Sequence, residues 1–512
     1  MRLERSRNTK RNIVVGEIDK ITGILFPFIV RTMIIHMIGA EYLGLTSLFY
    51  SILQMLNLME LGTGSAIIYS LYKPIAENDN GTIDALLCYY GKLYRRIGTA
   101  VAAAGLLLLP FLPHLIKSGT PPDISIYWLY LIYLANACIN YFLFPQWKAL
   151  MTAWQRDDIG MGLHIFTQGG MYAAQAAAVY FTGDYYLYAV MLPVSSVVYS
   201  LLCARTARRK YPQYTALGNL PEEKKKEIRK LIGGLMIRKS ASLSRDAFDS
   251  IFVSAFLGLT LTAVYANYYY IMDSVVMVVA VIKTSMAGGV GNSIALDSAE
   301  KNRRDMHRID FLFMWVSGWC SICLLCLYQP FMQIWVGQSM MLPVGFAALF
   351  AVYFYVLKMG NISTLYAESA GIWWQTRYIS VAEAAANLLL NWLLIRFLGL
   401  AGIIIATLTS YFLFNFIGGA WILYRTLFRE TGGFGAYLLY HLRYALTGLA
   451  VAAVTFAAVD RIPFDGIAGL MLKAAICLIL PNAMFFLVYF RTGIFRESKG
   501  LIDSVLKGFL RI

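Results

Sequence analysis

Charged residues are scarce in this chain: they make up 14% of its 512 residues, whereas 59% are hydrophobic. Soluble domains typically carry about 25% charged residues, so this composition excludes an ordinary soluble domain. Apolar runs extend from one end of the sequence to the other, and no polar stretch is long enough for a soluble catalytic domain. We therefore predict an all-α polytopic membrane protein.

Patterns typical of metal sites are also missing. The seven cysteines lie mostly within apolar runs, and the triplet Cys320, Cys323 and Cys326 has no histidine or acidic residue nearby. We interpret these cysteines as small buried residues and predict no cofactor, leaving open only a coupling proton or Na⁺. The first apolar run is too long for a signal peptide and no small-residue cleavage site follows it, so we expect a retained first helix.

Apolar segments of about 20 residues, long enough to cross a bilayer, recur about fourteen times along the chain. They cover roughly 13–38, 43–70, 97–116, 124–145, 159–182, 185–204, 231–257, 261–290, 309–328, 341–360, 377–398, 401–424, 441–460 and 467–490. Lys and Arg concentrate in alternate connections, and the remaining connections contain little besides Lys117 and Arg461. The positive-inside rule then places both termini in the cytoplasm, and the same bias accounts for much of the net charge of +15. No basic-aromatic motif for nucleic acid is present.

The chain divides near its middle at a polar segment, 205–230, which we predict to be a cytoplasmic basic linker with a short interfacial helix. Residues 38–52 can be aligned with residues 257–271, on either side of this linker. We therefore predict two six-helix bundles related by an internal repeat, with a substrate path at the repeat interface. The predicted regions are bundles at 1–204 and 231–424, two additional transmembrane helices at 425–490, and an amphipathic cytoplasmic tail at 491–512.

Several charges fall deep in the predicted spans. Arg31 lies eight residues before Gly39, which places it roughly 12 Å below the outer surface, and Glu60 lies within the next span. A charge at the centre of a bilayer costs about 2.5 to 3.5 kcal/mol even on a lenient scale. Lys20 shares a helical face with Arg31. Such residues need a partner, a water-filled cavity or an ionic ligand.

A second polar stripe opens the second bundle. Arg238 and Arg245 are seven residues apart and so share a helical face, with Asp249 one turn beyond. Arg245 and Asp249 also have the spacing of an internal ion pair. Lys20 has Asp19 and Glu17 nearby, with which it can pair at the interface. The candidates for binding a coupling ion, or for pairing with arginine, are Glu60, Asp246, Asp249 and Asp273.

Histidine and tyrosine offer weaker signals. His164 lies in the middle of a span, where we favour a hydrogen-bonded packing role over a titrating one. The ring faces of four neighbouring tyrosines suit sugar stacking, but core packing or anchoring at the interface is the default interpretation. These tyrosines are Tyr265, Tyr268, Tyr269 and Tyr270.

The residues around the first hairpin carry a family resemblance. Arg31, the run Ile38-Gly-Ala-Glu-Tyr-Leu-Gly44, the run Glu60-Leu-Gly-Thr-Gly64 and the run Leu71-Tyr-Lys-Pro-Ile75 resemble the opening of the bacterial polysaccharide transporter family. These oligosaccharide-lipid flippases belong to the multidrug/oligosaccharidyl-lipid/polysaccharide exporter superfamily. The resemblance is clear over about the first 100 residues, and the hydropathy pattern extends it along the chain.

The resemblance implies that the protein turns undecaprenyl-diphosphate-linked oligosaccharide from the inner to the outer leaflet of the bacterial cytoplasmic membrane. Transport would proceed by alternating access, and other proteins would perform the subsequent polymerisation. Fixed cations suit a diphosphate, because the arginine fork matches phosphate oxygens. We therefore predict Arg31 and Arg245 as the diphosphate clamp, with Lys20, Arg238 and Lys283 nearer the cytoplasmic mouth.

Three other functions compete with this prediction. A multidrug cation antiporter shares the fold, but its substrates favour acids over bases in the cavity. A peptidoglycan-precursor flippase fits both the fold and the charge. A membrane enzyme usually needs an external loop with acid-base residues, and the longest predicted outer connection, from Gln329 to Leu342, is uncharged, so we predict no enzyme.

The topology can be tested with reporter fusions. Fusions after Lys117 or Arg461 are expected outside the cytoplasm, and fusions after Lys230 or Arg308 inside it, because Lys and Arg are retained on the cytoplasmic side. Paired alkaline phosphatase and fluorescent protein reporters at each position make the measurement. A reversed or mixed pattern would overturn the predicted orientation.

Overall fold

The computed structural model describes residues 5–60, 62–117, 119–462 and 466–500; the side chains at 5–10, 13, 58–59, 234–246 and 373–374 lie outside the described part. All regular structure within those limits is helical, so the chain is an all-α polytopic membrane protein, as its composition predicts. In the described residues, eight helices are individually long and apolar enough to cross a bilayer, and two bent pairs bring the number to ten.

Contacts between Cα atoms divide the chain into two units, Met1–Ala263 and Val264–Ile512. In the first unit, α1 packs against α7, α7 against α8, and α5 against α8. The helices of this unit are α1 (Arg5–Met37), α2 (Ala40–Leu56), α3 (Thr63–Glu77), α4 (Asn80–Leu107), α5 (Ile126–Phe142), α6 (Pro145–Ala153), α7 (Asp157–Thr182), α8 (Tyr185–Lys210) and α9 (Glu222–Leu257).

The second unit is built around α11, which packs against α12, α16 and α17. The first residues of α10 belong to the first unit by their contacts. The helices are α10 (Leu259–Leu296), α11 (Ala299–Val336), α12 (Val344–Ser369), α13 (Trp373–Leu398), α14 (Leu400–Ser410), α15 (Ala420–Thr426), α16 (Phe434–Asp460) and α17 (Gly466–Tyr489). A π-helical segment, Tyr411–Gly419, joins α14 to α15.

Every predicted span coincides with a helix, but the predicted second span, 43–70, is broken. After α2 ends, a 3₁₀ turn covers Asn57–Glu60, and α3 begins beyond Gly62, whose φ of 88° is left-handed. Glycine adopts this conformation without the steric cost that a side chain would add. The break removes Glu60 from regular helix, and the polar groups released there must find partners inside the protein.

Two tight junctions occupy aligned positions in the sequence. Gly39 joins α1 to α2 with φ 137° and ψ 156°, and Gly258 joins α9 to α10 with φ 94° and ψ 173°. Positive φ with extended ψ is essentially restricted to glycine. The aligned segments 38–52 and 257–271 therefore share the same kind of glycine junction between two helices. The internal repeat of whole bundles stays a prediction.

Helix α9 differs from its sequence interpretation in two respects. It packs against α2 and α3 within the first unit, whereas the repeat-based division at 1–204 and 231–424, which stays a prediction, assigns it to the second bundle. The short helix predicted in the linker is also not separate, because α9 begins at Glu222 and continues unbroken to Leu257. No proline interrupts this stretch, and an ion pair of 2.8 Å between Lys225 and Glu222 supports its first turn.

Gly44 lies where α2 meets the junction between α9 and α10. A Cβ added there would meet the carbonyl oxygen of Leu259 well inside contact distance. We expect Gly44→Ala to lower the free energy of unfolding by about 1 to 3 kcal/mol, because the backbone must move to accept the methyl group. Gly162→Ala on α7 is the matched control, because a Cβ there meets nothing within 4 Å. Equal thermal unfolding midpoints for the two purified variants would contradict this expectation.

Candidate functional site

Glu60 lies within a cluster of phenols in the first unit. Its Oε1 accepts a hydrogen bond from the Tyr94 hydroxyl at 2.7 Å, and the Tyr94 ring stacks on Tyr90 with 4.3 Å between centroids. The Tyr141 hydroxyl donates to Asn57 Oδ1 at 2.8 Å, next to the same turn. Among the described residues, a tyrosine of α4 thus donates a hydrogen bond to Glu60, and the pairing of Glu60 with an arginine stays a prediction.

Two cavities adjoin Glu60, with volumes of about 480 Å³ and about 350 Å³. The larger lies among α3 to α8, and the smaller lies beside α2 and α5. Hydroxyl and amide groups dominate the polar walls, which suits hydrogen bonding to a polar ligand. The polar residues of the larger cavity include Glu60, Lys148, His164, Gln168, Ser195, Ser196 and Tyr199. Those of the smaller include Gln54, Asn57, Asn136 and Asn140.

His164 pairs with an acidic residue at the wall of the larger cavity. Its Nδ1 lies 2.7 Å from Asp19 Oδ1, which joins α7 to α1. The predicted hydrogen bond of His164 is confirmed, but the residue faces a cavity and its side chain is 42% exposed. The sequence suggested Asp19 only as a partner for Lys20. Helical spacing could not reveal the true partner, which lies 145 residues away.

Neither Lys20 nor Arg31, the predicted cations of the first unit whose side chains are described, lines these cavities. Lys20 is half-exposed and pairs with Glu17 at 2.9 Å, which matches the interfacial alternative. Arg31 is within electrostatic range of Tyr50 and Tyr188, and it is not among the residues that line either described cavity.

The remaining predicted residues of the first unit lie on α9. Arg238, Arg245 and Asp246 fall in the range whose side chains are outside the described part, so their roles stay predictions. Asp249, one turn beyond Arg245, has a side chain in the described part and is 2% exposed. A buried carboxylate in a membrane span needs compensation within the protein. The predicted polar face of α9 is therefore buried at Asp249.

In the second unit, Lys283 of α10 pairs with Glu368 of α12 at 3.6 Å. Tyr265 and Tyr268 are buried, at 3% and 0% exposure. The Tyr268 hydroxyl donates to Gln329 Oε1 and accepts from the Leu342 amide, each at 3.1 Å. For Tyr265 and Tyr268 the packing interpretation is confirmed, since buried rings offer no face to a sugar.

Sequence reasoning missed Lys358, a lysine of α12 that is 1% exposed. Its Nζ donates to the Val276 carbonyl oxygen of α10 at 2.9 Å. The predicted Asp273 lies one turn before Val276 and within electrostatic range of this lysine. The sequence alone could have identified Lys358 as a candidate, because a lysine inside the apolar span 341–360 is unusual.

A second missed cluster joins α13 to α14. Asn387 Nδ2 donates to Thr407 Oγ1 at 3.0 Å, and Asn391 Nδ2 donates to Asn387 Oδ1 at 3.3 Å. Glu383, buried on the same face, accepts from Asn415 of the π-helical segment at 3.5 Å. π-Helical turns are frequent at functional sites. The sequence could have indicated this cluster, because Glu383, Asn387 and Asn391 are spaced four residues apart and so share one face of α13. Among the described residues, no three His, Cys, Asp or Glu side chains are grouped to bind a metal ion.

The fold and these sites define a polytopic membrane protein with polar cavities and buried charges. No protein-family model matches the sequence, and comparison with curated proteins finds no match. The structure is similar to the lipid II flippase MurJ in an inward closed conformation, with 12% identity, a TM-score of 0.68 and coverage of 93% of this chain and 98% of that chain.

Two further transporter structures share the fold as well. An inward-facing multidrug resistance MATE family transporter of the MOP superfamily has 14% identity, a TM-score of 0.62 and coverage of 80% of this chain and 96% of that chain. A MOP superfamily transporter from Pyrococcus furiosus is described as having a binding pocket of reverse polarity. It has 12% identity and a TM-score of 0.55, with coverage of 81% of this chain and 95% of that chain. At these identities the likeness establishes the fold.

Removing one hydroxyl group tests whether the hydrogen bond to Glu60 stabilises the protein. Tyr94→Phe removes the donor to Glu60, so we expect the free energy of unfolding to fall by about 1 to 3 kcal/mol. Tyr69→Phe is the control, because that side chain is 68% exposed. Thermal unfolding of both purified variants measures the difference. If Tyr94→Phe is no more destabilising than Tyr69→Phe, the hydrogen bond to Glu60 is not structurally important.

Proposed function

We propose that this chain is a flippase for undecaprenyl-diphosphate-linked oligosaccharide units in the bacterial cytoplasmic membrane. It would move them from the inner to the outer leaflet by alternating access, for cell-surface polysaccharide biosynthesis. Both termini would lie in the cytoplasm, as the distribution of Lys and Arg predicts. The protein would act as a transporter rather than an enzyme, in contact with membrane lipids and with a polysaccharide polymerase acting downstream.

The extent of the structural likeness carries this proposal. The lipid II flippase covers 93% of this chain, whereas the inward-facing MATE transporter covers 80% while matching 96% of its own length. The additional coverage is about the size of α16 and α17, the two helices beyond the predicted bundles. Length therefore favours a flippase of lipid-linked substrate over a multidrug antiporter.

Deep cations support a diphosphate substrate. Phosphate crossing hydrocarbon needs fixed positive charge, and arginine supplies it in a bidentate geometry. Lys20 and Lys283 are each paired with a carboxylate, so their charges are partly compensated. Because arginine supplies the bidentate fork, we assign the diphosphate clamp to Arg31 and Arg245, with Lys20, Arg238 and Lys283 nearer the cytoplasmic mouth.

The polar cavities of the first unit suit the sugar end of such a substrate. Their hydroxyl and amide groups present hydrogen-bond donors and acceptors of the kind that sugar hydroxyls bind. Glu60 and the pair of His164 with Asp19 border the larger cavity and are candidates to bind a coupling proton or Na⁺. Asp246, Asp249 and Asp273 remain further candidates for that role.

A multidrug cation antiporter is the second candidate function. The larger cavity of the first unit is lined by Glu60 together with Tyr90, Tyr94 and Tyr199. Asp19 contacts His164, which also lines this cavity. An acid surrounded by aromatic rings is the environment that organic cations prefer. A flippase for a peptidoglycan precursor would use the same cations as the proposed function, and it differs only in the sugar that accumulates.

The sidedness of lipid-linked oligosaccharide tests the proposal. Cells without this protein should accumulate diphosphate-linked sugar units on the inner leaflet, measured with a probe that reaches only the outer leaflet. Arg31→Ala and Arg245→Ala should each reduce outer-leaflet labelling by about 10-fold or more, because a charge-assisted hydrogen bond is worth about 1.5 to 3 kcal/mol. The sugar on the retained lipid identifies the substrate.

Two controls make this experiment decisive. Arg461→Ala removes an exposed arginine and should leave labelling unchanged at equal membrane abundance. Arg31→Lys retains the charge without the planar fork and should transport at an intermediate rate. Full activity of both alanine variants would exclude the clamp. Unchanged sidedness in cells without the protein, together with greater sensitivity to cationic drugs, would favour the antiporter.

A further inference from the structure

A further cavity lies within the second unit, where α16 ends and α17 begins. Its volume of about 410 Å³ falls within the range of about 300 to 1,000 Å³ that is typical of small-ligand sites. The last turns of α11 and α16 and the first turns of α12 and α17 form its walls. The sequence predicts that this end of the helices faces the outside. The polar residues of the cavity are Gln329, Gln333, Asp460 and Lys473.

Two opposite charges share this cavity without neutralising each other. Among the described residues, neither the Asp460 carboxylate nor the Lys473 ammonium forms an ion pair or a hydrogen bond. Asp460 is the last residue of α16, whereas Lys473 lies seven residues after the start of α17 at Gly466. Seven residues correspond to about 10 Å of helix, so the carboxylate lies at the outer end of the cavity and the lysine lies deeper.

The amide of Gln329 is already engaged. It accepts from a tyrosine of α10 and donates to a backbone carbonyl oxygen before α12. Gln333, Asp460 and Lys473 are therefore the polar side chains that a ligand in this cavity would meet.

The rest of the cavity is apolar and opens toward apolar surface. Leu325, Phe456 and Leu470 line it, together with Ile334 and Val344, which are exposed on the surface of the protein. Surface of this kind within a membrane span faces lipid. A ligand that fills this cavity thus combines an apolar part with a head that carries both signs of charge.

We propose that this cavity binds a phospholipid with a primary ammonium headgroup, of the phosphatidylethanolamine class, from the outer leaflet. In such a lipid the chains point toward the bilayer centre, the phosphate lies above them, and the ammonium lies nearest to water. The cavity has the same order of apolar walls, Lys473 and then Asp460. Lys473 donates to the phosphate, and its long stem lets the ammonium group extend toward the headgroup level. The lipid ammonium donates to Asp460 in a charge-assisted hydrogen bond.

This geometry also selects among headgroups. A choline headgroup has no N–H group to donate to Asp460, and a glycerol headgroup has no positive charge to offer it. Because the walls belong to α11, α12, α16 and α17, the bound lipid holds these four helices together at their outer ends.

Lipid titrations of the purified full-length protein in neutral detergent test this site. Phosphatidylethanolamine, phosphatidylcholine and phosphatidylglycerol with identical chains are added separately, and the thermal unfolding midpoint is measured at each concentration. We expect phosphatidylethanolamine to raise the midpoint at about 10-fold lower concentration than the other two, because each of those lacks a charge-assisted hydrogen bond. Glycerophosphoethanolamine, the same headgroup without chains, should give no shift at these concentrations.

Variants of the two charged residues locate the effect. Asp460→Asn and Lys473→Gln should each raise the required concentration of phosphatidylethanolamine by about 10-fold, whereas Lys473→Arg should retain binding. Lys117→Gln is the matched control, because it removes an exposed lysine that is predicted on the same side of the membrane and does not line this cavity. Native mass spectrometry of the same variants counts retained lipid independently of their stability.

Several results would overturn the proposal. Equal effects of the three lipids would show that the cavity does not read the headgroup, and a stronger effect of phosphatidylglycerol would make it an anionic-lipid site. A full shift with glycerophosphoethanolamine would assign it to a soluble zwitterion. Undiminished binding of phosphatidylethanolamine in both Asp460→Asn and Lys473→Gln would place the lipid elsewhere.

Discussion

Hydrocarbon supplies no hydrogen-bond partners, and the positions of polar groups in this protein follow from that constraint. Where α2 breaks, the carboxylate of Glu60 is satisfied by a tyrosine of α4. The ammonium group of Lys358 instead donates to the carbonyl oxygen of Val276 on a neighbouring helix. On α13, asparagine amides bond to one another and to a threonine of α14. Each of these hydrogen bonds joins two helical elements and fixes their relative position more strictly than apolar packing does.

The two units satisfy this constraint differently. In the first unit, polar residues border cavities, and a pair such as His164 with Asp19 stays partly exposed. In the second unit, Lys358 and Asp310 are buried almost completely. A polar cavity can accept a polar ligand, whereas a buried charge depends on compensation by groups of the protein. The first unit therefore has polar cavities that suit a ligand, whereas the second unit buries Lys358 and Asp310 among protein groups.

Much of the fold was predictable because a bilayer imposes a length and an apolar composition on each span. Every predicted span coincides with a helix, and the aligned Gly39 and Gly258 adopt the same backbone conformation. The break before α3 was not predicted, because Asn57 to Gly64 reads as part of one apolar run. Of the site, the sequence identified Glu60 as a deep charge and Lys283 as a cation near the cytoplasmic mouth. Their partners, Tyr94 and Glu368, are distant in sequence.

The sequence by itself determined the class of protein, the approximate spans and the presence of buried charge, because each depends on local composition. Only the tertiary structure decided what each charge meets. Lys20 pairs on its own helix, His164 pairs with Asp19, and Lys358 reaches the backbone of α10. Helical periodicity fixes the face on which a residue lies, whereas helix packing selects the residue opposite, and packing depends on the whole chain.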